Sequence, residues 1–127
     1  MPPFLFWGLK TMTIFEKIQN VKFKTVTISA EELGTGSELK LQELSGGQHA
    51  EFIDRLKDAD FRDSEKKLTA FMFYNCLVDD NGARQFQSEE EAEKCLDMLP
   101  ASLVKRINTA MAKLNNATEE DAKAKKK

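Results

Sequence analysis

Two carboxylates, an amide and a glycine lie close together in residues 77–86, LVDDNGARQF, and could either bind calcium or turn the chain. An EF-hand loop needs oxygen ligands at its first, third, fifth and twelfth positions and glycine at its sixth. With Gly82 in sixth place, Leu77 falls first and Ser88 twelfth, and neither supplies the ligand required there. Asn81-Gly82 is favoured in two-residue hairpin loops of type I′, in which both residues need positive φ. We therefore predict a structural turn at Asn81 and Gly82 and no metal site.

The other side chains that could do chemistry are one histidine and two cysteines. His49 falls in the first turn of a predicted helix, and the sequence offers it no partner for proton transfer. Cys76 and Cys95 form no CxxC pair and lie among apolar residues at helical spacing, which predicts two buried thiols in a reducing cytosol, with a single disulfide left open. No catalytic set and no phosphate-binding glycine loop can be assembled. We predict that the protein is not an enzyme and uses no cofactor.

The composition is typical of a single modest globular domain. The chain has 127 residues, of which 41% are hydrophobic and 31% charged, and its formal charge is −2 with a pI near 5.5. A chain with this net charge does not produce the positive electrostatic field that attracts phosphate backbones, so nucleic acid is not an expected partner. The apolar opening MPPFLFWGL is far shorter than the ~20 residues that span a bilayer, so no membrane partner is expected.

Changes in composition along the chain predict its organisation. Met12 offers an alternative start, and residues 1–11 are predicted to be a disordered extension. Residues 12–116 carry the periodic apolar patterns and are predicted to form a single globular domain. The last segment, ATEEDAKAKKK, has no large apolar residue, so residues 117–127 are predicted to be a disordered charged tail.

A β-hairpin is predicted near the start of this domain. Residues 21–29, VKFKTVTIS, are rich in β-branched residues, and residues 37–44, SELKLQEL, alternate leucine with charge. The apolar alternation in the first run slips by one position between Phe23 and Val26, which indicates a bulge or a short bent strand. The GTGS segment between the runs predicts a flexible tip, which is either a plain connector or a contact loop.

Amphipathic helices are predicted after the hairpin. The first follows the capping box SGGQ, which begins at Ser45, and the second runs from Ser64 to Cys76 or Val78 with apolar residues on most sides. The third follows the cap Ser88 and has an acidic first turn, as the helix dipole favours. The fourth aligns apolar residues on one face, namely Leu103, Val104, Ile107, Met111 and Leu114. The predicted fold class is α+β, mostly helical, with a short N-terminal β-hairpin followed by about four α-helices.

The order of these elements forms a recognisable pattern. A strand ends in a Leu-Ser-Gly step into a helix that bears a Glu-Phe pair, and a later Val-Asp-x-x-Gly turn leads to an acidic helix and a final amphipathic one. The positions that carry the pattern are Leu44, Ser45, Gly46, Glu51, Phe52, Leu77, Val78, Asp79, Gly82, Phe86, Leu99, Leu103 and Ile107. Across roughly residues 21–116, the sequence resembles the tail assembly chaperones of long-tailed bacteriophages.

The resemblance implies a non-enzymatic chaperone in the cytoplasm of the infected bacterium. Such a protein binds the tape measure protein and helps the tail tube protein to assemble around it. In the family a −1 frameshift near the end of the gene fuses a second domain to a minority of chains, and the terminal lysine run is a candidate slippery site. The alternative is a small self-associating structural or adaptor protein of a phage or prophage, and a homo-oligomer is left open in either case.

A helical, partly apolar client needs an apolar groove in its chaperone. Our candidates for partner binding are apolar residues in and around the second predicted helix, namely Phe61, Phe71, Phe73, Tyr74 and Leu77. The alternative that these five residues form the ordinary core is left open, since aromatic side chains are most often interior.

Overall fold

The computed structural model describes residues 12–115, and the predictions for the two terminal segments, including the frameshift, lie outside these residues. Within them the chain forms six α-helices, one 3-10 helix and three strands. In chain order these are α1 (Ile14–Gln19), β1 (Thr25–Ser29), the 3-10 helix Glu31–Leu33, β2 (Glu38–Gln42), α2 (Gly46–Arg55), α3 (Ala59–Arg62), α4 (Glu65–Cys76), β3 (Leu77–Val78), α5 (Glu89–Met98) and α6 (Ala101–Leu114). The predicted α+β class is confirmed.

The three strands form one antiparallel sheet in the order β1-β2-β3, so β1 lies at an edge. β1 pairs with β2 along its whole length, beginning with Thr25 opposite Gln42, which confirms the predicted hairpin. The first strand starts later than the β-branched run, because Val21 and Phe23 lie before it and are exposed. The slip in apolar alternation therefore marks the entry to the strand, and no bulge within β1 is needed to explain it.

Serine caps define the starts of three predicted helices. Ser45 Oγ accepts a hydrogen bond from the Gln48 amide at 3.1 Å, and Gln48 Oε1 accepts one from the Ser45 amide at 2.9 Å, so the predicted capping box before α2 is present. Ser64 and Ser88 cap α4 and α5 through the hydroxyl contact alone, each Oγ accepting a hydrogen bond from a backbone N–H at 3.1 Å. A cap of this kind typically contributes about 1 kcal/mol to helix stability.

Two short α-helices and one short strand were not predicted. α1 begins after a Thr13-Glu16 capping box, α3 is a single turn capped by Asp58, and β3 consists of two residues. A helical period becomes visible only over about 11 residues or more, so elements this short carry no periodic signal. Because β3 begins at Leu77, α4 ends at Cys76, the earlier of its two predicted ends.

The core lies between the inner face of the sheet and helices α4, α5 and α6. α6 closes it: four of its five aligned apolar residues are buried, and only Val104 is partly exposed. The largest fully buried side chains are Phe71, Phe73, Leu41, Leu103, Ile107 and Cys76. Each large apolar side chain removed from water contributes about 1.5–3 kcal/mol, so these residues dominate the stability of the fold.

The acidic stretch turns the chain through a longer loop than predicted. The Asp79 amide donates to the Ala83 carbonyl at 2.9 Å and the Gly82 amide donates to the Asp79 carbonyl at 3.0 Å, so three residues, not two, form the loop. Gly82 has φ +82°, as predicted, but Asp80 and Asn81 occupy the central turn positions. The Asp79 carboxylate accepts the amides of Asn81 and Ala83 at 2.8 and 2.9 Å. These two hydrogen bonds to the Asp79 carboxylate stabilise the wider loop, and the Asn81-Gly82 dipeptide alone does not indicate them.

Candidate functional site

Helix α2 has an apolar side that the chain covers only in part. The helix is amphipathic, yet none of its residues is buried. Ile53 is 48% exposed, and Phe52 and the C-cap residue Leu56 are half-buried. An amphipathic surface helix normally buries its apolar stripe against the core. α2 therefore leaves apolar surface available to a partner.

This apolar side borders a groove between α2, α4 and α6, which we call the interhelical groove. Its volume is about 440 Å³, within the range of clefts that bind ligands. Its apolar lining residues are Leu44, Phe52, Ile53, Leu56, Leu68, Met72, Met111 and Ala112, and its polar ones are His49, Thr69, Asn108 and Asn115. Methionine side chains are unbranched and adapt to different shapes, which suits an apolar partner whose sequence varies.

Polar contacts hold α2 beside this groove. The Arg55 guanidinium donates two hydrogen bonds to the Glu89 carboxylate on α5, at 2.7 and 2.9 Å, and these bonds raise the pKa of Arg55. The same guanidinium lies 4.4 Å from the centroid of the Phe61 ring. At the other end of the helix, Gln48 Nε2 donates to Asn75 Oδ1 at 3.3 Å. α2 is thus fixed in place at both ends while its apolar side stays partly open.

Four of the five predicted partner-binding residues lie inside the folded chain. Phe61, Phe71 and Phe73 are 3%, 0% and 2% exposed, and Leu77 is 7% exposed. Phe61 and Phe71 pack together with rings nearly perpendicular and centroids 5.9 Å apart. The expectation that these four residues line an exposed groove is wrong, because the folded chain buries all four of them. Contact of these residues with a partner stays a prediction.

Tyr74, the fifth candidate, is half-buried and already engaged within the chain. The Arg84 guanidinium lies 4.4 Å from the centroid of its ring and donates to its hydroxyl at 2.9 Å. Arg84 also donates to the buried Asn75 Oδ1 at 3.0 Å. These contacts attach the loop after β3 to α4. They also hold the Tyr74 side chain in place within the chain itself.

A second exposed apolar surface lies on α1. Ile14, Phe15 and Ile18 are 72%, 66% and 60% exposed, and no residue of this helix is buried. Contiguous apolar exposure of this kind commonly marks a contact surface. The sequence signals for this helix are its capping box and the i, i+4 spacing of the two isoleucines.

The described residues show little reactive chemistry. In residues 12–115, no three His, Cys, Asp or Glu side chains are grouped so that they could hold a metal ion. Both cysteines are free, which confirms the predicted thiols, but only Cys76 is buried and Cys95 is half-buried. Burial raises the pKa of the Cys76 thiol to about 11, so it is protonated at neutral pH. His49 is exposed at the border of the interhelical groove.

None of the helices in the part of the chain that the structure describes combines the length and apolar character needed to cross a membrane.

Comparisons with known proteins find a similar fold in a solved structure. No protein-family model matches the sequence. No curated protein matches it either. The structure is similar to that of the bacteriophage HK97 tail assembly chaperone, with a TM-score of 0.51 and 20% sequence identity, over 80% of this chain and 93% of that chain. The resemblance indicated by the sequence therefore extends to the fold.

Proposed function

We propose that this protein is a non-enzymatic tail assembly chaperone of a bacteriophage, acting in the cytoplasm of the infected bacterium. The observation that supports this most is the similarity of fold to the HK97 tail assembly chaperone, which extends over nearly all of that chain. The proposed client is the tape measure protein, and the proposed result is assembly of the tail tube protein around it.

The interhelical groove is the proposed site for this client. A helix laid into the groove would cover the open apolar side of α2, including Ile53, in the manner of other helix-in-groove complexes. Most of the groove is apolar, so affinity would come from burial of apolar surface and would tolerate changes in client sequence. A chaperone benefits from such a contact, because the client must later be released to the assembling tube.

Co-expression with a tagged helical fragment of the tape measure protein tests the proposal. The wild-type chain should co-purify with the fragment, whereas Ile53→Asp should reduce recovery about tenfold or more, because a charge would be buried in the contact. Ile53 is half exposed, so this change should leave the fold intact. Met98→Asp is the matched control, since Met98 is a 76% exposed apolar residue on α5 that does not line the groove.

Two results would count against the proposal. One is failure of the wild-type chain to retain the fragment. The other is equal recovery with Ile53→Asp and Met98→Asp, which would place the client elsewhere. Should Ile53→Asp instead convert a defined homo-oligomer of the chain alone into monomers, the self-associating adaptor would be favoured.

Phe73→Asp should unfold the protein, because Phe73 is buried in the core and the change would place a charge there. Circular dichroism checks this by the loss of helical signal.

A further inference from the structure

A second groove lies between the edge strand β1 and helix α6. Its volume is about 700 Å³, and its lining includes Lys24, Val26, Lys105, Ala110, Lys113 and Leu114. With 3.6 residues per turn, these α6 residues lie on the opposite side of the helix from Asn108 and Met111, which line the interhelical groove. The two grooves are therefore separate surfaces, and we call this one the edge groove.

The outer edge of β1 presents backbone groups that can pair with another strand. The Glu43 amide donates to the Lys24 carbonyl, and the Ala30 amide donates to the Ser37 carbonyl. In this register the even-numbered residues between them, Val26 and Ile28, direct their N–H and C=O groups to β2. In an antiparallel ladder the residues between them direct their N–H and C=O groups to the other side. Thr25 and Thr27 thus point theirs outward, and within residues 12–115 no strand pairs with that edge.

One end of this edge is closed by an arginine. Arg106 donates to the Ser29 carbonyl at 3.1 Å and to Glu32 Oε1 at 2.6 Å. The hydrogen bond from Arg106 lowers the pKa of Glu32, so this pair is charged at neutral pH. The open part of the edge is consequently short and is centred on Thr25 and Thr27, beside the apolar residues of the groove.

The rim of the edge groove is basic, although the chain as a whole carries a charge of −2. Lys24, Lys105 and Lys113 line it, and all three are exposed. None of these lysines forms a salt bridge with another residue in the part of the chain that the structure describes. Three lysines that form no salt bridge among the described residues surround this apolar groove, and they favour an occupant that combines acidic and apolar side chains.

We propose that the edge groove binds an extended acidic peptide segment of another protein, which adds to β1 as a fourth strand of the sheet. Backbone pairing with an edge strand beside a helix gives affinity, and alternate side chains that enter the groove give specificity. The terminal segments of this chain fit the groove poorly, because residues 1–11 contain no acid and residues 117–127 contain no large apolar residue. The proposal does not depend on the client assigned to the interhelical groove.

A fluorescent peptide, Asp-Glu-Val-Thr-Val-Glu-Asp, tests this with the full-length chain by fluorescence anisotropy. We expect saturable binding with a Kd below about 1 mM, and this Kd should rise as the salt concentration is raised. Thr27→Pro removes an outward N–H without removing a β1-β2 hydrogen bond, and Lys105→Glu with Lys113→Glu reverses the rim charge. Each change should weaken binding about tenfold or more. Lys94→Glu, an exposed lysine on α5 that lines neither groove, should leave binding within about twofold of wild type.

Amide hydrogen exchange completes the test. The Thr25 and Thr27 amides should exchange rapidly in the free chain and slowly with the peptide. Slow exchange in the free chain would show that its own terminal segment or a second copy covers the edge, which overturns the proposal. Absence of binding, or binding unaffected by the proline and glutamate changes, also overturns it. Should Thr27→Pro not fold, a peptide N-methylated at its central amides replaces that variant and should bind about tenfold more weakly.

Discussion

At the scale of single residues, Gly82 sets the geometry of the loop after β3. Its φ of +82° disfavours any side chain, while a Cβ there would meet only Gln42 Oε1 at 3.5 Å, which is ordinary contact. The cost of substitution is therefore backbone strain and not a clash. Gly82→Val should lower the free energy of unfolding in urea by about 1–3 kcal/mol, and Gly82→Asn should lower it less, because asparagine tolerates positive φ.

Gly46 provides the control for Gly82, because it lies at the start of α2 without a positive φ and with nothing near its Cβ position. Gly46→Ala should be neutral or slightly stabilising. Equal unfolding free energies for Gly82→Val, Gly82→Asn and wild type would contradict the loop described here.

The two thiols should differ in reactivity. Burial raises the pKa of Cys76 to about 11, so very little thiolate forms there at about pH 8, and the side chain is also inaccessible. Cys95 is half-buried and more accessible. A thiol reagent should therefore modify one cysteine quickly in the native protein and the second only on unfolding, and Cys95→Ala should abolish the fast phase. Loss of the fast phase in Cys76→Ala instead would contradict this assignment.

At the scale of elements, α2 depends on one ion pair for its attachment to α5. Arg55 and Glu89 are about a third exposed, with bidentate geometry and an aromatic ring beneath the guanidinium. A lysine ammonium cannot donate two parallel hydrogen bonds to the Glu89 carboxylate, and it stacks less well on the aromatic ring. Arg55→Lys should therefore lower the free energy of unfolding by about 1 kcal/mol. Lys57→Gln is the control, because Lys57 and its partner Asp54 are largely exposed and their ion pair should contribute less than about 0.5 kcal/mol. Equal effects of the two changes in urea titrations would show that the Arg55 geometry adds nothing.

The elements that the sequence predicted share a local signal. Serine caps at Ser45, Ser64 and Ser88 and the apolar stripe of α6 act within a few turns of the chain, so pattern alone located them. β3 and α3 are held by tertiary contacts and are too short for a pattern to form. The Asn-Gly dipeptide predicts the turn at Gly82, but the length of the loop depends on two hydrogen bonds that the Asp79 carboxylate accepts, and the dipeptide does not encode these bonds.

At the scale of the whole molecule, the candidate site was the hardest feature to predict. The spacing of Phe52, Ile53 and Leu56 shows that α2 is amphipathic, but whether its apolar side is covered depends on where α4 and α6 lie. The apolar residues predicted to contact a partner included Phe61, Phe71 and Phe73, but large aromatic side chains more often fill the core, and these three are buried there. The spacing of apolar residues predicts which helix faces are apolar. The packing of the helices decides which of these faces remain exposed.

Hydrogen exchange of the full-length chain, with and without a helical fragment of the tape measure protein, tests directly whether the client lies in the interhelical groove. We predict that amides of α2, and of the α4 residues around Leu68 and Met72, exchange at least about tenfold more slowly in the complex, because the client would cover this groove. Amides of α1 and of the β1 edge should be unchanged. If the fragment binds but leaves exchange of the α2 amides unaltered, or protects α1 alone, the client does not lie in the interhelical groove.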